Sequence, residues 1–282
     1  MKKKWVVVLV VVAVIAVAVV LFFAVTGQKN FLWAEASFTD SSLSFYTCDG
    51  EMTWHGNLYD PEKEAAFVKM LSGIRVKKAM DWSPDKATYP MYAISIGTWK
   101  DRTIEALWTN GYLLLDDGNV YRTDYDFSSV REAWDWDMDS HVSSDRRELR
   151  YLPNMRIVVQ TDTGWNPELM VPSRADVSGT EGITMEFVGI ADKKIQVNLT
   201  NHRDAEWCFG ESYDIEAFVD GVWYDIPLSP GEYNPIPAIG LMLKPGNTWG
   251  KTYALAPYGD LPAGTYRLIV EGMSVEFTLP AE

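Results

Sequence analysis

The sequence predicts an N-terminal transmembrane helix, then an α+β domain with an antiparallel sheet, and then an all-β sandwich. Three observations predict this order. An uncharged apolar run follows three lysines near the N-terminus, helix and strand patterns are mixed between residues 37 and 136, and strand patterns alone recur over residues 181–282.

The apolar run from Trp5 to Val25 is the predicted anchor. At about 1.5 Å per residue its helix is roughly 31 Å long, which matches a hydrocarbon core of about 30 Å. A cleaved signal peptide is the alternative, but its apolar region is usually about 7–15 residues long. Ala24-Val25-Thr26 is also a poor cleavage site. We therefore expect a retained anchor over residues 5–25.

The lysines at positions 2, 3 and 4 predict the orientation of this anchor. Positively charged residues near a membrane span stay on the cytoplasmic side. We therefore expect residues 1–4 to be cytoplasmic and the two folded domains to be extracellular, in a single-pass plasma-membrane protein.

The net charge of the chain limits the classes of partner that the protein can bind. The chain has 25 basic and 39 acidic residues and a net charge of −14. Without the three N-terminal lysines, 22 basic residues face 39 acidic ones, and the exported part carries −17. Nucleic acid and anionic polymers require a positive surface, so we expect no nucleic-acid partner.

A helix over about residues 61–72 opens the recognisable part of the α+β domain. Asp60 is a good N-cap residue, Pro61 suits the first turn, and Gly73 marks the end. Four apolar residues follow at steps of three and four, as on one face of an amphipathic helix. They are Phe67, Met70, Leu71 and Ile74.

Two turn signals predict a meander of strands after this helix. Asn110-Gly111 and Asp117-Gly118 each lie between short apolar segments, a pattern typical of β-hairpins. A second short helix is expected over Phe127–Trp134, capped by Asp126. The domain as a whole is expected at residues 37–136.

Residues 137–180 are predicted to be a connector. Ser140–Arg150 is polar and charged, Met155–Gln160 resembles a strand, and the proline residues Pro167 and Pro172 interrupt the pattern. The boundary with the last domain is expected near residue 178.

Alternating apolar residues predict seven strands within residues 181–282, with turns about every ten residues, as in a sandwich of two sheets. Asp220-Gly221 marks a hairpin between two of them. The predicted strands lie around residues 183–187, 195–199, 213–217, 222–226, 253–255, 266–270 and 275–279.

Two segments of this region resemble a bacterial immunoglobulin-like domain family of Gram-positive surface proteins. One is Gly210–Glu216, which leads towards the hairpin at Asp220-Gly221, and the other is Leu261–Arg267, in which Leu-Pro-x-Gly-x-Tyr-Arg opens a late strand. The resemblance covers about residues 181–280 and implies an immunoglobulin-like β-sandwich. The family has no assigned catalytic residues, so the resemblance implies no active site.

The two cysteines, Cys48 and Cys208, fall in different predicted domains. Their spacing suits neither a metal knuckle nor a redox pair. An extracellular location permits a disulfide between them, but small buried thiols are the favoured interpretation.

Asp135, Asp137 and Asp139 alternate like the first half of a calcium loop. The pattern then fails, because Ser140 stands where glycine is required and Arg146 where a bidentate glutamate is required. A solvated acidic segment is the favoured interpretation, with these aspartates as a weak metal-site candidate. No cofactor is expected.

No catalytic motif is found in the sequence. The three histidines, at positions 55, 141 and 202, lack zinc-site spacing, and nucleophile elbows and phosphate-binding loops are absent. We therefore expect a non-catalytic interaction or accessory protein of the bacterial cell surface, binding a protein or cell-wall component through the α+β domain with the sandwich as spacer or second contact. The alternative is a cell-wall or glycan hydrolase that uses paired carboxylates.

Overall fold

The computed structural model describes residues 29–30, 41–98, 104–137, 141–143, 149, 152–229 and 239–281. The predicted cytoplasmic residues 1–4 and the predicted anchor, residues 5–25, lie outside this part of the chain. Among the helices of the described residues, none has the length and apolar character needed to cross a membrane.

A nine-stranded antiparallel sheet organises the first half of the chain. Its strands follow one another across the sheet in the order β1-β4-β8-β7-β6-β5-β2-β3-β9. Their bounds are β1 Lys29–Asn30, β2 Ser41–Cys48, β3 Thr53–Leu58, β4 Arg75–Lys78, β5 Met91–Thr98, β6 Ile104–Thr109, β7 Tyr112–Leu115, β8 Val120–Arg122 and β9 His141–Ser143.

The main helix of this half is α1, Pro61–Ser72, and it confirms the predicted bounds. The Asp60 carboxylate accepts hydrogen bonds from the backbone N–H groups of Glu62 at 2.8 Å and Lys63 at 3.3 Å. Gly73 donates its backbone N–H to the carbonyl of Met70 at the other end. Both ends of α1 therefore have the partners that the sequence predicts.

The hairpin predictions are confirmed as well. Asn110 and Gly111 join β6 to β7 with φ values of 46° and 77°, the left-handed conformation that a tight hairpin needs. The second predicted helix is shorter than expected: α2 covers Val130–Ala133 and begins after Ser129. Asp126 instead accepts the backbone N–H of Ser128 in a turn before the helix.

Both faces of the nine-stranded sheet are covered. On one face, Phe67 and Leu71 of α1 pack in a core with Phe45 of β2 and Ile94 of β5. The other face presents a second set of buried residues that packs against a short helix, α3, and the sandwich beyond it. That set includes Met91, Ala93, Leu107 and Leu114.

Helix α3, Met155–Val159, corrects one prediction, because the sequence suggested a strand over Met155–Gln160. Its side chains Met155, Val158 and Val159 are buried in the same core as the sheet residues. The Asn154 side-chain amide also donates to the carbonyls of Glu105 at 3.0 Å and Leu114 at 3.1 Å. Burial on several sides decides the conformation of this apolar run. Three two-residue strands follow: β10 Gln160–Thr161, β11 Gly164–Trp165 and β12 Val171–Pro172.

The second half of the chain is a β-sandwich. One sheet has the order β12-β17-β16-β20-β21, a second has the order β13-β14-β19, and β15 pairs with β18. All seven predicted strands are present. The bounds are β13 Ile183–Ala191, β14 Lys194–Asn201, β15 Trp207–Phe209, β16 Asp214–Val219, β17 Val222–Asp225, β18 Leu241–Leu243, β19 Thr248–Ala254, β20 Gly264–Val270 and β21 Met273–Leu279.

Candidate binding groove

The aspartates that formed the weak metal-site candidate are held by a lysine. Lys63 of α1 lies 2.9 Å from a carboxylate oxygen of Asp135 and 3.8 Å from one of Asp137. Asp137 also accepts the backbone N–H of Tyr59 at 2.6 Å, and Asp139 lies outside the described residues. The hydrogen bond from Lys63 lowers the pKa of Asp135. In the part of the chain that the structure describes, no three His, Cys, Asp or Glu residues are grouped to hold a metal ion. Asp135 and Asp137 thus fasten their segment to α1.

Two histidines that are far apart in the sequence are neighbours in the sheet. His55 of β3 pairs in register with His141 of β9. The His55 ring stacks on Tyr46 with centroids 4.4 Å apart, and its Nε2 lies 2.9 Å from the Asn57 side-chain oxygen. His202 is elsewhere, 3.0 Å from the hydroxyl of Thr184.

Neither Cys48 nor Cys208 forms a disulfide. Cys48 is buried, as expected, and its sulfur accepts the backbone N–H of Gly50 at 3.3 Å. Cys208 is exposed, which corrects the interpretation that both are buried.

The segment Leu261–Arg267 forms a tyrosine corner, in which a buried tyrosine bonds back to the chain a few residues earlier. The Tyr266 hydroxyl donates to the carbonyl of Pro262 at 2.6 Å and accepts the indole N–H of Trp165 at 3.2 Å. Burial raises the pKa of Tyr266 to about 12, so the hydroxyl keeps its proton at neutral pH. The corner fixes the loop that leads into β20.

The next residue, Arg267, joins the two segments that carry the family resemblance. Its guanidinium lies 2.6 Å from the carboxylate of Glu216 on β16. Glu216 also accepts the hydroxyl of Ser173 at 2.5 Å. The Glu216 side chain is 1% exposed and that of Arg267 is 10% exposed. The pair is buried on the face of its sheet that lies opposite the sandwich core, since the neighbours Ala217 and Tyr266 face the core.

Arg156 of α3 ties the connector to the sandwich. It is buried and donates hydrogen bonds to the carbonyls of Tyr258 at 3.2 Å and Asp260 at 3.1 Å. Its guanidinium also lies 4.4 Å from the centre of the Trp165 ring. Burial lowers the pKa of Arg156 to about 10, which still leaves it charged at neutral pH. Together, these contacts hold the loop before β20 against the connector.

A groove of about 630 Å³ opens beside this loop. Its rim carries the ion pair between Lys193 and Asp260, with a separation of 2.6 Å, and the polar side chain of Gln160. Most of its wall is apolar, and the apolar residues come from four separate stretches of the chain. They are Ile190, Leu255, Leu261, Pro262, Leu279 and Pro280. Such a surface suits a ligand whose apolar group fills the groove and whose polar atoms contact the rim.

The sequence predictions missed this groove. Leu261 and Pro262 belong to the segment that carries the family resemblance, and Leu255 and Leu279 belong to predicted strands, but the sequence did not predict that these residues line one groove. Ile190 and Leu279 meet there because β13 and β21 end on the same side of the sandwich, and no local pattern encodes that proximity.

No curated protein matches the chain, and its middle part is not recognised as a known family. Residues 183–282 match the family described as Bacterial Ig-like domain. The predicted resemblance is therefore confirmed, and the C-terminal part of this protein is a bacterial Ig-like domain.

Proposed function

We propose that this protein is a membrane-anchored, non-catalytic interaction or accessory protein of the bacterial cell surface. In this proposal, residues 5–25 cross the plasma membrane, the N-terminus is cytoplasmic, and the folded domains are extracellular. A partner protein or a cell-wall component binds in the groove beside the tyrosine corner, so the sandwich is the main contact in place of the α+β domain that the sequence analysis favoured. The apolar wall of that groove is the observation that carries the proposal.

The groove suits binding because its walls are fixed before a partner arrives. The Tyr266 corner holds Leu261 and Pro262, and Arg156 holds the carbonyl of Asp260 from the connector side. A preformed site loses little conformational entropy on binding, so more of the contact energy appears as affinity.

In-cell crosslinking and pull-down with the tagged full-length chain tests this proposal. Ala263→Trp fills the groove from an exposed position, and Ala205→Trp adds the same bulk at another exposed alanine. We expect one reproducible protein or wall component with the wild type and with Ala205→Trp, and at least a tenfold lower yield with Ala263→Trp.

Two results would contradict the proposal. Equal recovery by both variants would show that the groove is not the site. Recovery of shortened wall glycan alone, together with release of glycan fragments by the purified chain, would favour the hydrolase alternative.

A further inference from the structure

The segment Ala65–Met80 is a basic part of an acidic chain. Its sixteen residues include four basic side chains and no acid, although the whole chain has a net charge of −14. The four are Lys69, Arg75, Lys77 and Lys78, and all are exposed. Among the residues that the structure describes, no carboxylate forms an ion pair with any of them, whereas Lys63, Lys86 and Arg122 are all paired. These four cations can therefore contact an anion outside the protein.

The end of β4 keeps its positive charge in the sheet. Lys77 pairs in register with Arg122 of β8, and Lys78 pairs with Tyr121, so neither lysine faces an acid across the ladder. Asp81 follows β4 in the sequence, but its carboxylate is already 2.6 Å from the guanidinium of Arg122. Lys77 and Lys78 are thus not neutralised by their neighbours.

An exposed apolar side chain follows these lysines. Met80 is 79% exposed, more than any other large apolar side chain in the described part of the chain. Burial of apolar surface is favourable, so an apolar surrounding at this point would stabilise the contact. Basic side chains beside an exposed apolar one are typical of surfaces that bind anionic lipid headgroups.

The register of β1 brings the proposed anchor to this end of β4. β1 runs antiparallel to β4, and its first residue, Lys29, lies opposite Val76. The chain therefore enters β1 from the side on which Lys77 and Lys78 lie. An anchor that ends at Val25 is joined to Lys29 by three residues, and this connection spans at most about 14 Å. The end of β4 then lies close to the membrane surface.

We propose that the end of β4 docks on the anionic phospholipid surface of the membrane that the anchor crosses. Lys77 and Lys78 contact lipid phosphates, and Met80 inserts among the headgroups. The anchor keeps the lipid at a high effective concentration, so the contact orients the nine-stranded sheet without needing much affinity of its own. This inference rests on the membrane anchor in the proposed function and specifies a lipid contact of the anchored protein.

Fluorescence quenching in nanodiscs tests this inference with the full-length chain. An environment-sensitive fluorescent amino acid replaces Met80 in one variant and Met52 in another, and the lipids carry a nitroxide quencher at the headgroup. Met52 is also exposed, and it lies in the turn after β2, which the antiparallel order places at the opposite end of the sheet. In phosphatidylcholine with one quarter phosphatidylglycerol, we expect at least threefold stronger quenching at position 80 than at position 52.

Charge variants show whether the lysines cause this contact. Lys77→Gln/Lys78→Gln should reduce the quenching at position 80 at least twofold, and so should nanodiscs of phosphatidylcholine alone. Lys194→Gln/Lys244→Gln is the matched control, because it removes the same charge from two exposed lysines of the sandwich, and it should leave the quenching unchanged.

Three results would overturn the inference: equal quenching at positions 80 and 52, quenching that does not depend on phosphatidylglycerol, or the same loss in both double variants. If the chain stays in the nanodiscs while any of these is seen, the inference fails and the proposed function stands. If the chain does not co-purify with nanodiscs, the anchor in the proposed function fails as well.

Discussion

Removing Arg267 should leave a buried, uncompensated carboxylate in the sandwich. In Arg267→Met, Glu216 loses its hydrogen bond from the Arg267 Nε at 2.6 Å and its ion pair with Nη2 at 2.6 Å. It keeps the Ser173 hydroxyl. Hydrogen bonds to charged groups contribute about 1.5–3 kcal/mol each, and breaking a buried pair costs about 3–5 kcal/mol. We expect a loss of about 3–5 kcal/mol in the free energy of unfolding.

The double variant Arg267→Met/Glu216→Leu separates the cost of a lone charge from the value of the pair. Replacing both members of a buried pair by apolar residues is often neutral, so we expect the double variant within about 1 kcal/mol of the wild type. Equilibrium unfolding in urea measures both values, because the midpoint shifts with stability at constant slope. A single variant that costs less than about 1 kcal/mol, or a double variant that costs the sum of the two singles, would refute this reasoning.

Three further predictions concern the α+β half and the cysteines. Asp60→Ala removes the N-cap of α1 and should cost about 1 kcal/mol in urea unfolding; an unchanged midpoint would contradict the capping geometry. Lys63→Met should raise the pKa of Asp135 towards its ordinary value in a carboxyl NMR titration. Because the ion pair lowers the pKa of Asp135 in the folded state, the wild type should be more stable than Lys63→Met above about pH 4. This difference in stability should disappear as the pH falls through the folded-state pKa. An unchanged Asp135 pKa in the variant would rule out the ion pair. A thiol reagent should label Cys208 rapidly in the folded protein and Cys48 only after unfolding, whereas equal labelling rates would contradict the burial of Cys48.

Much of the local structure could be predicted from the sequence. Asp60, Pro61 and Gly73 bound α1 because capping depends on residues close in the chain. The turns at Asn110-Gly111 and Asp220-Gly221 form because these residues tolerate a positive φ. The strands of the sandwich could be predicted because apolar and polar residues alternate along them in the sequence.

The remainder depends on contacts between distant residues. Met155–Val159 is a short apolar run, and periodicity cannot assign such a run to helix or strand. It forms a helix because of its packing between the sheet and the sandwich. Lys63 neutralises Asp135 from 72 residues away in the sequence. The groove likewise needs Ile190 and Leu279 to meet, which the topology of the sandwich alone brings about.

The most direct test of the interaction site is site-specific photocrosslinking in the native envelope. A photoreactive amino acid replaces Ala263 in the groove in one full-length variant and Ala205 in the other, and both alanines are exposed. We predict one discrete adduct from position 263 and none from position 205. No adduct from position 263, or the same adducts from both positions, would contradict the assignment of the groove as the binding site.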